Sequence, residues 1–198
     1  MKKSSSKGAI HLQKYLRHRP RIRIAVTVLV VIVIWVISTL DHNGEFAFEG
    51  NDWDIYHNQQ FAVVRVVDGD TLIVDQPDGD ERHTKVRLWG VNTPELARPD
   101  LGKPAQPWAE QAKQYATKQA AGKTVRLELV YHRIRGNYGR ILAYVHLPDG
   151  QVLNEQLILQ GYSPADSRFS HDQLQRYDML QDQAHRDRVG LWSKPRGK

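Results

Sequence analysis

Two short stretches, Val67-Asp68-Gly69-Asp70-Thr71-Leu72 and Val86-Arg87-Leu88-Trp89-Gly90-Val91-Asn92-Thr93-Pro94-Glu95, put acids, an arginine and an amide within one fold's reach. A third, Asn137-Tyr138-Gly139-Arg140, adds a second arginine. Oxygen ligands suit a hard divalent cation. Paired guanidinium groups suit a phosphodiester, and a carboxylate near both can activate water. The three stretches together point to metal-assisted phosphodiester chemistry.

Each stretch also has a plain structural explanation. Asp-Gly between two β-rich runs is an ordinary hairpin signal. Arg87 alternates with Val86 and Leu88, which places it on the opposite face of a strand, where a surface arginine is unremarkable. Tyr138-Gly139-Arg140 is adequate as a tight turn at the start of a strand. Asp75, Asp78 and Asp80 lack the ligand spacing of a calcium loop and read as a solvated hairpin. The nine histidines show no zinc-ligand spacing. Trp89, Trp108 and Trp192 are expected to pack, and Arg133 and Arg135 form either a modest backbone-binding patch or a solvated face.

The elements that must position these residues are legible as short runs. Strands are expected over 61–67, 71–75, 84–89, 124–131 and 140–147, with Asp68-Gly69, Asp78-Gly79 and Pro148-Asp149-Gly150 between runs that reverse. Helices are expected over 106–121, 152–160 and 170–188. The first begins beside Pro107 and stops at Gly122, the second stops at Gly161, and the third has Ser170 as N-cap with Leu174, Tyr177, Met179 and Leu180 inward. The expected fold is α+β, mainly β: a five-stranded barrel with three packed helices.

The order and spacing of these motifs resemble the staphylococcal nuclease (thermonuclease) family. The resemblance runs from about residue 61 to 192 and includes Asp-Gly-Asp-Thr, Arg-Leu followed by Thr-Pro-Glu, Tyr-Gly-Arg, Val152-Leu153-Asn154-Glu155 and Gly190-Leu191-Trp192-Ser193. It implies an OB-fold barrel, one bound Ca²⁺, and hydrolysis of DNA and RNA phosphodiesters. Asp70 would be a calcium ligand, Thr93 would give its main-chain carbonyl, Glu95 would be the general base, and Arg87 and Arg140 would clamp the scissile phosphate. Two positions depart from the pattern: Asn92 stands where the family usually has a second calcium-ligating aspartate, and Arg135-Gly136-Asn137 stands where an acid often precedes the tyrosine. An amide oxygen still coordinates calcium, with one negative charge fewer in the ligand shell. The alternative reading is an OB-fold module that binds nucleic acid or protein without cleaving. No specific protein partner is implied, and a monomer is expected.

Charge is unevenly spread. The formal net charge is +6, but residues 1–23 hold eight of the 28 lysines and arginines and no acid, leaving the stretch from 61 onward only mildly basic. The chain has no cysteine, which excludes disulfides and thiolate chemistry. Residues 24–40, IAVTVLVVIVIWVISTL, are uncharged, and a helix of that length spans roughly 25 Å, the short end for a bilayer. The expected organisation is a basic cytoplasmic segment over 1–23, a transmembrane anchor over 24–40, a linker over 41–60 partly docked through Phe46, Phe48, Trp53 and Tyr56, and the nuclease-like domain over 61–198. The positive-inside rule sends that domain across the membrane. A signal peptide cleaved near Val36-Ile37-Ser38, giving a secreted protein, and an organelle transit sequence are the competing readings.

Overall fold

The computed structural model describes residues 26–29, 31 and 52–193. The chain divides into two units, 1–47 and 48–198. In the first, residues 26–29 and 31 are helical, with Val26, Val28, Leu29 and Val31 exposed. Among the described residues no helix is long and apolar enough to cross a membrane. The remainder of the expected anchor, the basic segment, and Phe46 and Phe48 lie outside the described residues.

The second unit is built on five strands, β1 Gln60–Asp68, β2 Thr71–Val74, β3 Thr84–Leu88, β4 Thr124–Leu129 and β5 Ile141–His146. They close a barrel in the order β1-β2-β3-β5-β4, antiparallel except for the β3–β5 pair. This is the expected OB-like five-stranded barrel. Alternation explains the closure: Val86, Leu88, Val125, Leu127, Ile141, Ala143 and Val145 point inward and are fully buried or nearly so.

Among the described residues four α-helices pack on this unit: α1 Asp52–Tyr56, α2 Ala109–Ala120, α3 Leu153–Leu159 and α4 Leu174–Asp187. The first was expected as linker. It folds because Tyr56 is buried and its hydroxyl lies 2.9 Å from the Thr84 hydroxyl, which in turn donates to the Gln76 carbonyl. Asp52 adds a second tie. Arg135 donates to Asp52 and, at 2.8 and 2.9 Å, to Asp78, joining α1 to the β2–β3 loop. Both acids raise the pKa of Arg135. Arg135 is thus an internal tie rather than part of a nucleic-acid patch.

Two helix starts differ from expectation. Trp108 adopts φ +72, which a right-handed helix cannot continue, so α2 begins at Ala109 rather than Gln106. Ser170 is not an N-cap. Its carbonyl faces the His132 ring at 3.2 Å, His171 turns inward, and α4 starts at Leu174. On α4 the buried stripe is Tyr177 and Ala184, seven residues apart. Met179 sits about 200° around the helix from Tyr177, and is 65% exposed rather than inward.

In α3, Leu153, Leu157 and Ile158 face the core. So does Asn154, whose amide oxygen accepts from the Val145 N–H at 2.9 Å while its nitrogen donates to the Trp89 and Ala143 carbonyls. One fully buried side chain thereby fastens α3 to β5 and to the chain leaving β3.

Candidate active site

The β1–β2 hairpin turns through Gly69 and Asp70. A Cβ on Gly69 would come within 2.7–2.8 Å of three side-chain atoms of Thr93, so only glycine lets that threonine approach. The approach has a chemical result. Thr93 donates its N–H at 2.7 Å and its hydroxyl at 2.9 Å to Asp70 Oδ2, while Thr71 donates its hydroxyl to Oδ1. Arg87 Nη1 pairs with Oδ1. Asp70 is therefore a buried carboxylate whose two oxygens are held by four donors. Thr93 engages it through N–H and hydroxyl.

Arg87 reaches this carboxylate because β2 and β3 pair Thr71 with Arg87, and Val86 and Leu88 on either side are fully buried. Its other terminal nitrogen donates to the Val91 carbonyl and to Asn92 Oδ1, both at 3.1 Å. Burial, then the nearby charge of Arg140, pulls the Arg87 pKa down to about 10, against the opposing fields of Asp68, Asp166 and Glu95. Two guanidinium groups are thus held close enough to repel. An anion placed between them relieves that repulsion.

Asn92 is set by its N–H, which donates to the Ser163 hydroxyl at 2.8 Å. Farther along the same stretch, Val91 bridges to Ala165 and the Asp166 N–H donates to the Gly90 carbonyl. The chain after α3 therefore runs alongside the loop after β3. Glu95 is exposed, and its main chain is bracketed by Gln106, whose side-chain oxygen accepts from the Glu95 N–H and whose N–H donates to the Glu95 carbonyl, both at 2.9 Å. Residues 106–108, expected as helix, are used to seat this loop instead. Arg140 is half-buried just ahead of β5, with Nη1 3.3 Å from the Thr71 hydroxyl and its guanidinium 5.7 Å from the Tyr138 ring.

Asp70, Arg87, Asn92, Glu95 and Arg140 all line one cavity of about 680 Å³, within the range of roughly 300–1,000 Å³ usual for ligand sites. Thr93 is buried behind it. The same cavity is lined by Asp68, Asp166, Arg168 and Arg133, to which the motifs assigned no role in the site. Asp166 has no motif around it. It enters through the loop pairing just described, and although burial pushes its carboxyl up, hydrogen bonds and charge from Arg168, helped by Arg87, leave it below its ordinary value.

Among the described residues no three His, Asp or Glu side chains form a metal cluster. The donors available are hard oxygens all the same. The Asp70 carboxylate and the Asn92 amide oxygen both accept from the one Arg87 guanidinium, so a positive charge already balances them. That donor chemistry fits a hard divalent cation and not a thiophilic one.

The chain matches the family model for staphylococcal nuclease homologues over residues 85–194. It is 33% identical over 175 residues to the thermonuclease of Staphylococcus intermedius, covering 87% of this chain and 99% of that one. It is 31% identical over 169 residues to the thermonuclease of Staphylococcus hyicus, covering 85% and 95%. An uncharacterised endonuclease of Escherichia coli is 32% identical over 131 residues, covering 66% and 75%. With a closed five-stranded barrel, a cavity lined by the motif residues and likeness at this level over nearly its full length, the chain belongs to the staphylococcal nuclease family.

Proposed function

We propose that this chain is a Ca²⁺-dependent nuclease that cuts DNA, RNA or both with little sequence preference, and that residues 24–40 hold it as a monomer at a membrane with the barrel on the extracytoplasmic side. Hydrolysis of phosphodiester bonds follows from its family. The observation that carries the reading is the shared cavity of Arg87, Arg140, Asp70, Asn92 and Glu95.

In this reading Asp70, Asn92 and the Thr93 carbonyl hold Ca²⁺. The ion supplies Lewis-acid stabilisation of a phosphoryl oxygen. Arg87 and Arg140 bind the non-bridging oxygens of the scissile phosphate. They bind more strongly as negative charge builds during attack by water, and that difference accelerates the reaction. Glu95, free at the cavity, takes the proton of the attacking water. Contacts of this kind go to phosphate rather than to base edges, so they position a strand without reading its sequence.

Support for the membrane comes from the uncharged run, the eight upstream bases and the exposed valines of its helical residues. A second reading, a module that binds without cleaving, is favoured by one feature. Asn92 contributes no charge to the ion, and Arg87 already occupies Asp70. The two readings separate when the full chain is assayed on DNA and RNA with calcium titrated against a chelator. Cleavage that rises with calcium and stops with chelator supports the nuclease. Nucleic-acid binding with no calcium-stimulated cleavage supports the alternative.

A further inference from the structure

Arg133 shares with Arg140, and with neither Arg87, Arg98 nor Arg168, three features at the cavity: no carboxylate partner among the described residues, an aromatic ring beneath the guanidinium, and a buried Nε without a hydrogen-bond partner. Arg87 is paired with Asp70, Arg98 with Asp100 and Arg168 with Asp166, whereas among the described residues no carboxylate pairs with Arg133. Its guanidinium instead lies over the Phe169 ring, 4.7 Å from the centroid, and Nη2 donates to the Asn137 side-chain oxygen at 2.8 Å. Its Nε is buried and has no hydrogen-bond partner. Asn137 belongs to the turn that carries Arg140, so the two cations share one support.

A guanidinium held over an aromatic face and pinned at one corner loses little conformational freedom on meeting an anion. Its remaining N–H groups form a fork matched to phosphate. Phe169 is 45% exposed and invites a reading as a base-stacking platform, but the guanidinium covers one of its faces. The ring therefore supports a cation on that side. Resting on the nuclease reading above, we propose that Arg133 is a phosphate-binding subsite beside the scissile position, and that the cavity accepts a polynucleotide backbone of at least two consecutive phosphates in preference to a mononucleotide. Arg133 acts there as a positioning residue.

The test is equilibrium binding of a fluorescein-labelled twelve-residue oligothymidylate to the full chain in chelator, followed by anisotropy across a salt series. Arg133→Gln is expected to weaken binding about tenfold and to lower the slope of log affinity on log salt by about one. Thymidine 5′-phosphate, competing for the same protein, should lose much less. Arg133→Lys should restore the slope while recovering only part of the affinity, because it keeps the charge and loses the stacked fork. Arg176→Gln, on α4 and paired with Glu155, should match the wild type. An unchanged affinity and slope in Arg133→Gln overturns the subsite. An equal loss for oligomer and mononucleotide also overturns it, since Arg133 would then act at the scissile phosphate itself. If the wild-type chain binds no oligomer at low salt, this proposal fails, whereas the nuclease reading stands or falls separately on calcium-stimulated cleavage.

Discussion

Arg87 is the residue on which the site turns. It contacts the Asp70 carboxylate, the Val91 carbonyl and the Asn92 amide together, and sits near enough to Arg140 to be depressed in pKa by its charge. Depressed to about 10, it remains a cation at neutral pH. In the proposed mechanism Arg140, just ahead of β5, shares with Arg87 the task of binding the phosphate as charge builds. Removing a single transition-state donor of this kind costs about 10²- to 10³-fold in turnover. Arg87→Ala and Arg140→Ala are each expected to lose that much when cleavage of single-stranded DNA is followed at saturating calcium, with circular dichroism unchanged. Wild-type turnover in both variants would remove the two arginines from the mechanism. At this scale the sequence was partly legible. Strict alternation of Val86, Arg87 and Leu88 places the guanidinium on the outer face. Nothing near Asp70 announces that Thr93, 23 residues later, supplies two of its donors, because that contact depends on a glycine without a Cβ.

At the scale of elements, local pattern did well where alternation rules and poorly where one side chain reaches far. The five strands fall within two residues of their expected bounds at every end because their inward positions repeat with period two. α4 starts at Leu174 and not at Ser170, which has the residue type of a cap but whose carbonyl faces the His132 ring. In the sequence Asn154 stands out only within Val-Leu-Asn-Glu, and its function is structural. It satisfies the Val145 N–H and the Trp89 and Ala143 carbonyls in a fully buried position. Replacing it by leucine, of similar size, leaves the Val145 N–H and the Trp89 carbonyl without their amide partner, while the Ala143 carbonyl keeps the Trp89 N–H. Asn154→Leu should lower the free energy of unfolding by about 3 kcal/mol, measured by urea denaturation. A loss below about 0.5 kcal/mol would mean that water takes over these bonds.

For the whole folded unit, His171 is the informative group. It is buried where α4 meets the barrel, with Nδ1 3.1 Å from the Tyr144 hydroxyl and its ring beside Trp89 and Tyr177. A Cβ on Gly90, which itself has φ +73, would come within 2.7 Å of that ring, so the packing is close. Burial lowers the His171 pKa, outweighing the carboxylates of Asp166, Asp172 and Asp178. The unfolded chain takes up a proton at this histidine near pH 6.5, and the folded chain resists it. Stability carried by the neutral ring is thus complete above about pH 6.5 and is lost as the pH falls toward the lower folded value. Urea unfolding at pH 7.5 and pH 5 should show a smaller drop for His171→Gln than for the wild type. Equal drops would assign the acid sensitivity elsewhere.

Arg135 carries one more implication. Its fork is divided between an acid that precedes every strand and an acid in the β2–β3 loop. A protein trimmed to begin at Phe61, where alternation starts, would forfeit Asp52, Trp53 and Tyr56, leaving that guanidinium half-matched and the Thr84 hydroxyl without its phenol neighbour. The smallest self-sufficient piece therefore starts upstream of the barrel, at or before residue 52.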